Sequence, residues 1–481
     1  MKNDITRDTF DPAKNFSRVL MQQGRVQLDA DWNEQVSILL NYLRTLTRDL
    51  IGPGAGPEAA WGFSLLVSES DINALPLATD DKNKLIERRK TEQVLIAPGR
   101  YYVDGLLAEN GGFAAPDPAL TTDVTSQKGQ AVLIYLDVWE RHITSIEDDY
   151  IREKALGGPD TATRAKIEWK VRTRYFDNQI PPPDMKLSPP PTGTNLENLR
   201  KQLHLKFDAW SEKQLANRPF LRAGIEQQTE SDDPCVSSPE SVYRGVENQL
   251  YRVEIHRPGP AWDGQANTKK GAATFKWSCD NGSVTAAWLD DEDDVLKVAG
   301  TRDQVRGFAR GQWVELSDEP HDLQGTAGTL VQLKEIETGS LTIDPATANG
   351  SVLGRTNFGA NAKVRRWDQK ETEEISMSGG AIPIQYETWF ALEDGVQVQF
   401  KTPDGKEPDQ FRSGDYWLIP ARYATRDIEW PWESDAKQKR RALPPHGIKN
   451  HYALLGLLAA ATGATFEFTD LRRKFAPLTA A

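Results

Sequence analysis

The sequence predicts a multi-domain α+β chain, mainly β, in which one long N-terminal helix is followed by antiparallel sandwich- or barrel-like domains. Three observations lead there. From residue 61 onward, short runs rich in Val, Ile, Tyr and Trp are separated by Gly, Pro, Asn and Asp, the punctuation of a strand-rich fold. One stretch near the N-terminus instead repeats its apolar residues at spacings of four and three, the period of a helix face. Two proline triplets within residues 181–191 interrupt the chain, and proline cannot sit inside helices or central strands.

Residues 1–28 mix charged and apolar groups without helical period and carry Gly24, which reads as an arm lying along a neighbouring surface. The helix follows. Trp32, Val36, Leu39, Leu43, Leu46 and Leu50 form a coiled-coil-like seam on one face. Asp29 and Asp31 are candidate N-caps, Glu34 stands in capping-box position after Asp31, and Gly52-Pro53-Gly54 ends the element. A narrow stripe of this kind suits docking on another helix, from a second copy or a partner; packing on the chain's own sheet is the plain alternative.

After the helix, residues 61–68, 93–97 and the PGRYYVDG turn are read as short strands. AVLIYLDVW at 131–139 is nearly continuously apolar, as in a strand buried on both faces, and 165–175 alternates as in a strand with one buried face. The PPPDMKLSPPP segment reads as an extended linker, and Asn195 as the cap of a helix whose Leu199, Leu203, Phe207 and Trp210 face a core. Residues 224–242, with Cys235, are read as a polar loop. Residues 243–366 alternate short strands with turns, as in a barrel or sandwich, and Asp280-Asn281-Gly282 reads as a hairpin turn. The expected units are an arm and helix (1–60), a first β domain (61–180), a linker and helix (181–242), a second β domain (243–370) and a C-terminal β segment packing back on the first domain (371–481).

Composition narrows the function classes. At 481 residues the chain has room for about three domains at roughly 150 residues each. A net charge of −12 argues against a nucleic-acid or anionic-membrane footprint, which needs a broad basic face. Two cysteines make no disulfide framework, the first residues carry no signal-peptide core, and no apolar run reaches the roughly 20 residues of a membrane span. Cytoplasmic synthesis is the expectation. Catalytic motifs are missing: there is no nucleophile elbow, phosphate-binding glycine loop, dinucleotide fingerprint or zinc-protease helix.

The acidic run 290–294 lacks the glycine and distal glutamate of a calcium loop and reads as a solvated turn. His446 and His451 do not have metal-helix spacing. Asp137, Glu140, Glu147 and Asp148 have the chemistry of a glycosidase pair, but with Arg141, Arg152 and Arg164 nearby, ion pairs that fix a loop are the favoured reading. Cys279 lacks an activating histidine. Tyr101-Tyr102, Tyr416-Trp417 and Trp430-Pro431-Trp432 stack on sugars in one reading and fill cores or interfaces in the favoured one.

NFSRVLMQQGRVQLDADWNEQ resembles the opening of an uncharacterised domain family that occurs with phage-tail-like contractile injection systems, extracellular or membrane-anchored. APGRYYVDGLLAEN (97–110), the block from 136 to 164, YRGVENQLYRVEIH (243–256), ATFKWSCDNGSV (273–284), the block from 414 to 431 and LPPHGIKNHYALL (443–455) continue the resemblance. What the resemblance implies is a structural, non-enzymatic role without cofactor or metal: a baseplate-associated extension, cage or fibre-like subunit, trimeric or hexameric, touching other particle subunits. A cap-end adaptor, or a glycan-binding or glycan-cleaving tail protein using Trp430, Trp432 and the carboxylates from Asp137 to Asp148, are the alternatives.

Overall fold

In the computed structural model, the described residues are 1–126, 131–183, 191–216, 218–226, 242–300, 307–350, 354–373, 375–402, 411–434, 439–460 and 466–477. Much of the proline-rich linker (184–190) and of the loop holding Cys235 (227–241) lies outside them.

The strand Val132–Ile143 organises the first unit. Its even positions Val132, Ile134, Leu136 and Val138 enter one core, while Leu133 and Tyr135 enter another, so both faces are covered as its apolar run requires. It is central in a sheet of order Phe466–Asp470, His451–Ala460, Val132–Ile143, Arg164–Arg174. One face packs on a four-stranded sheet containing Gly54–Pro57, Gly99–Val103 and Leu106–Asn110 through Phe63, Tyr101 and Val103. The other receives the helix Gly193–Ala216 through Leu199, Leu203, Phe207 and Trp210. That helix already begins at Gly193, so Asn195 sits inside its first turn rather than capping it.

The second unit is a sandwich. Five strands in the order Ile382–Pro383, Thr274–Ser278, Gln249–Arg257, Tyr416–Arg422, Asp427–Ile428 face three, Trp389–Ala391, Val396–Lys401 and Phe220–Ile225. Tyr251, Val253, Phe275, Phe400 and Trp417 fill the space between them. The third is a closed six-stranded barrel of Thr285–Glu292, Val295–Ala299, Ser340–Asp344, Thr329–Glu337, Trp313–Ser317 and Lys363–Trp367, filled by Trp288, Val314, Leu333 and Val364. Residues 371–481 divide between two units: their first strands complete the sandwich, and His451–Ala460 pairs with Val132–Ile143.

Asp280-Asn281-Gly282 is not a hairpin. Asn281 and Gly282 do take positive φ (57° and 63°), but Thr274–Ser278 pairs inside the sandwich while Thr285–Glu292 belongs to the barrel. The turn hands the chain from one unit to the next. Its residues specify a reversal; the strands on either side decide what the reversal connects.

Candidate functional site

The helix Asp29–Ile51 lies against the first unit by one side only. Ala30 and Ile38 are buried, at 1% and 6% exposure. Arg44 Nη2 meets Glu140 Oε1 at 2.8 Å, and Arg48 Nε lies 3.4 Å from Asp104. Next to Asp104, Gly105 (φ +83°) lets the helix come close: a Cβ there would stand 2.4 Å from the carbonyl oxygen of Arg44. The N-terminal cap is not the expected one. Leu28 occupies the capping position without a side-chain bond, and Asp29 is the first helical residue. Asp29 accepts from Thr6 N at 2.8 Å and from the Thr6 hydroxyl. Burial works against its charge, but these hydrogen bonds prevail and hold the carboxyl below its usual pKa. Glu34 accepts from Thr9 Oγ1 at 2.5 Å, so it fastens the arm rather than closing a capping box.

All six seam residues face away from this contact. Trp32 is 73% exposed, Leu43 54% and Leu50 69%, with Val36, Leu39 and Leu46 also exposed. At about 100° of rotation per residue they span an arc of about 80°, and exposed Leu40 and Tyr42 widen it to about 160°, opposite Ala30 and Arg48. The seam therefore does not pack on the chain's own sheets. The arm adds Phe16, Leu20, Met21 and Val26, all exposed, and between arm and helix lies a cleft of about 450 Å³ lined by Phe10, Phe16, Ile38, Leu39 and Tyr42. Of the 22 large apolar side chains exposed among the described residues, 14 fall in the first 50. This clustering differs from the singly scattered leucines that are ordinary on a protein surface.

The first residues of the arm bind the chain itself. Lys2 Nζ pairs with Glu254 at 2.9 Å, Asn281 Nδ2 donates to the carbonyls of Met1 and Asn3, and Arg7 pairs with Glu429 at 2.7 Å. They enter a second feature that sequence reading missed: a cleft of about 270 Å³ where the three units meet. Strand alternation builds it. On Gln249–Arg257 the odd residues Tyr251, Val253 and Ile255 fill the sandwich core, which turns Arg252, Glu254 and His256 the other way. Lys276 leaves its strand in the same sense, and the barrel's Glu315 and Arg365 leave theirs on the outer face. Lys276 Nζ lies 2.5 Å from Glu315 and 3.4 Å from Glu254, and Arg252 Nε donates to Glu254 at 2.6 Å. Glu315 also accepts from Trp367 Nε1 at 3.0 Å and from Gly328 N at 3.0 Å. Burial alone would raise both glutamates, but the surrounding cations keep their pKa values well below the usual carboxylate range. His142 and His256 are pushed down to about 3, by burial first and nearby cations second.

The other sequence candidates are used structurally. Asp137 pairs with Arg172 (2.6 Å) and accepts from Asn450 (2.7 Å), Glu147 pairs with the barrel's Lys363 (2.6 Å), and Asp148 caps a short turn. Arg141 bridges Glu168 and Glu319, Arg152 pairs with Asp149, and Arg164 reaches backbone carbonyls instead of a carboxylate. Trp430 and Trp417 are sandwich core, Tyr101 is core of the first unit, and Arg440 stacks on Trp432 at 3.6 Å. His451 Nδ1 lies 3.0 Å from Asp104, and the His446 ring stacks on Tyr416. Burial and neighbouring carboxylates push the Cys279 thiol far up, away from thiolate chemistry. The acidic run 290–294 forms the exposed tip of a barrel hairpin.

A family of unknown function, DUF6519, matches residues 1–180 and 208–468. The chain belongs to that family. The DUF6519 match takes in both the exposed helix and the strands that build the charged cleft. No curated protein and no solved structure matches the chain. Among the described residues no helix is long and apolar enough to cross a membrane.

Proposed function

We propose that this protein is a structural, non-enzymatic subunit of a phage-tail-like contractile injection particle that assembles through its N-terminal arm and helix. The observation that carries the reading is the seam: Trp32, Val36, Leu39, Leu43, Leu46 and Leu50 stand exposed, with Leu40 and Tyr42 widening the face beyond what a single partner helix covers. A face of that width fits a bundle of the same helix from several copies, and closed rings of a trimer or hexamer cover it without leaving an open end. Residues 1–7 brace the arm on the sandwich, and the β units project from it as the baseplate-proximal extension or cage. The particle assignment rests on the resemblance of the sequence blocks described above. Against the glycan reading, Trp430 is core, Asp137, Glu140 and Glu147 are committed to ion pairs, and Asp148 caps a turn.

Oxidative cross-linking tests the assembly. Leu43→Cys is expected to give disulfide-linked dimers, and Tyr150→Cys, 87% exposed against 54% for Leu43 and outside the helix, is expected to give none. Sedimented particles from cells expressing the whole system are expected to contain the wild-type chain and to lack Leu39→Asp/Leu46→Asp. Particles that retain the double variant at wild-type level would overturn the assignment of the seam.

A further inference from the structure

We propose that the cleft where the three β units meet binds a compact, doubly charged oxyanion of the phosphate or sulfate class, held by Arg365, Lys2 and His142. The charge balance is the first argument. Although the chain carries −12 overall, eight Lys and Arg against five Asp and Glu line this cleft among its described residues. At its centre Lys2, Arg252 and Lys276 pair with two carboxylates, Glu254 and Glu315, and Arg365 stands beside them in the same cleft. Both carboxylates are engaged, Glu254 by three cations and Glu315 by Lys276, Trp367 and Gly328, and on the Arg365 guanidinium burial outweighs the pull of Asp322, Glu315, Glu147 and Glu254.

Arg365 is the second argument. It is 5% exposed, donates one N–H to the carbonyl of Gly282, and among the described residues has no carboxylate in direct contact. Burying a guanidinium this way is unfavourable unless an anion completes it, and its planar fork suits two oxygens of one anion. His142 supplies the third. Its Nε2 is buried without a hydrogen-bond partner among the described residues, and the neutral ring has one N–H to donate. Lys2, His142 and Arg365 all line this one cleft. The free volume of about 270 Å³ far exceeds the ~30 Å³ share of one water, so a tetrahedral anion enters with part of its hydration. Because its holders come from the first unit, the barrel and the arm, the anion would tie these parts together.

Calorimetric titration of the full chain with inorganic phosphate, sulfate and a small phosphate monoester, at ionic strength held constant with chloride, tests the proposal. One saturable site per chain and a melting temperature that rises with phosphate are expected, because a ligand bound only by the folded state stabilises it. Tight binding of the monoester but not of free phosphate would assign the site to a phosphorylated molecule. Arg365→Gln is expected to weaken binding at least about tenfold. If that variant does not fold, Lys2→Gln, whose side chain is a quarter exposed, is expected to weaken it measurably. Binding no stronger than that of chloride, or undiminished in whichever of these variants folds, would overturn the proposal.

Discussion

The N-terminal helix holds apolar side chains in water, and the junction of the three β units holds charges away from it. At the helix, eight large apolar residues lie exposed with only Ala30 and Ile38 buried. At the junction, Lys276 is 1% exposed, Glu254 2% and Glu315 5%. The two arrangements answer to different physics. Exposed apolar surface costs the isolated chain little stability and is stabilising only when a second surface covers it. Buried charge has to be compensated within the fold, and removing one member of the network exposes the full desolvation cost of the others. Mutation should therefore damage stability at the junction and assembly at the helix.

The largest expected effect is at the junction. Lys276→Met leaves Glu254 and Glu315 facing each other without the ammonium between them, and unfolding by denaturant should show a loss of about 3–5 kcal/mol. A loss under 1 kcal/mol would mean that the network is more solvated than its burial indicates.

Acidification probes the same region more gently. His142 and His256, with folded pKa values of about 3, take up a proton less readily folded than unfolded, where His titrates near 6.5. The stability they lend is complete above about pH 6.5 and drains as pH falls toward 3, by at most about 1.4 kcal/mol per pH unit for each proton. Asp415 runs the other way, since burial raises it to about 6 and the folded chain gains from its protonation below that pH. His256→Gln removes one of the histidine contributions, so denaturant melts of that variant should lose less stability between pH 6.5 and 5 than those of the wild type.

A smaller effect is expected where helix meets body. Gly105→Ala puts a methyl 2.4 Å from the Arg44 carbonyl at a positive φ, and should cost about 1–3 kcal/mol while loosening the helix, read as faster amide exchange at Arg44 and Arg48. Unchanged exchange would mean that the backbone shifts to accommodate the methyl.

The same contrast explains what was legible in the sequence. A helix seam and the buried strand Val132–Ile143 are local patterns, each complete within a few turns or one strand, so spacing alone located them. The junction is not local. Glu254, Lys276, Glu315 and Arg365 come from four strands of two units, and each looks in sequence like an ordinary outward-facing charge. Only the approach of sandwich to barrel buries them. Asp280-Asn281-Gly282 failed as a hairpin for a related reason, because turn chemistry states a backbone conformation and not which strands pair. The N-cap was misplaced because Asp29 and Glu34 are engaged by Thr6 and Thr9 of the arm, partners more than twenty residues away.

On the function proposed above, the exposed seam is an assembly surface and not part of the fold. Light scattering on wild type and on Leu39→Asp/Leu46→Asp, with melting curves beside it, tests this most directly. The wild-type mass should be three or six times 53.8 kDa, and the double variant should fall to 53.8 kDa with an unchanged melting temperature. A monomeric wild type, or a double variant that keeps the wild-type mass, would contradict it.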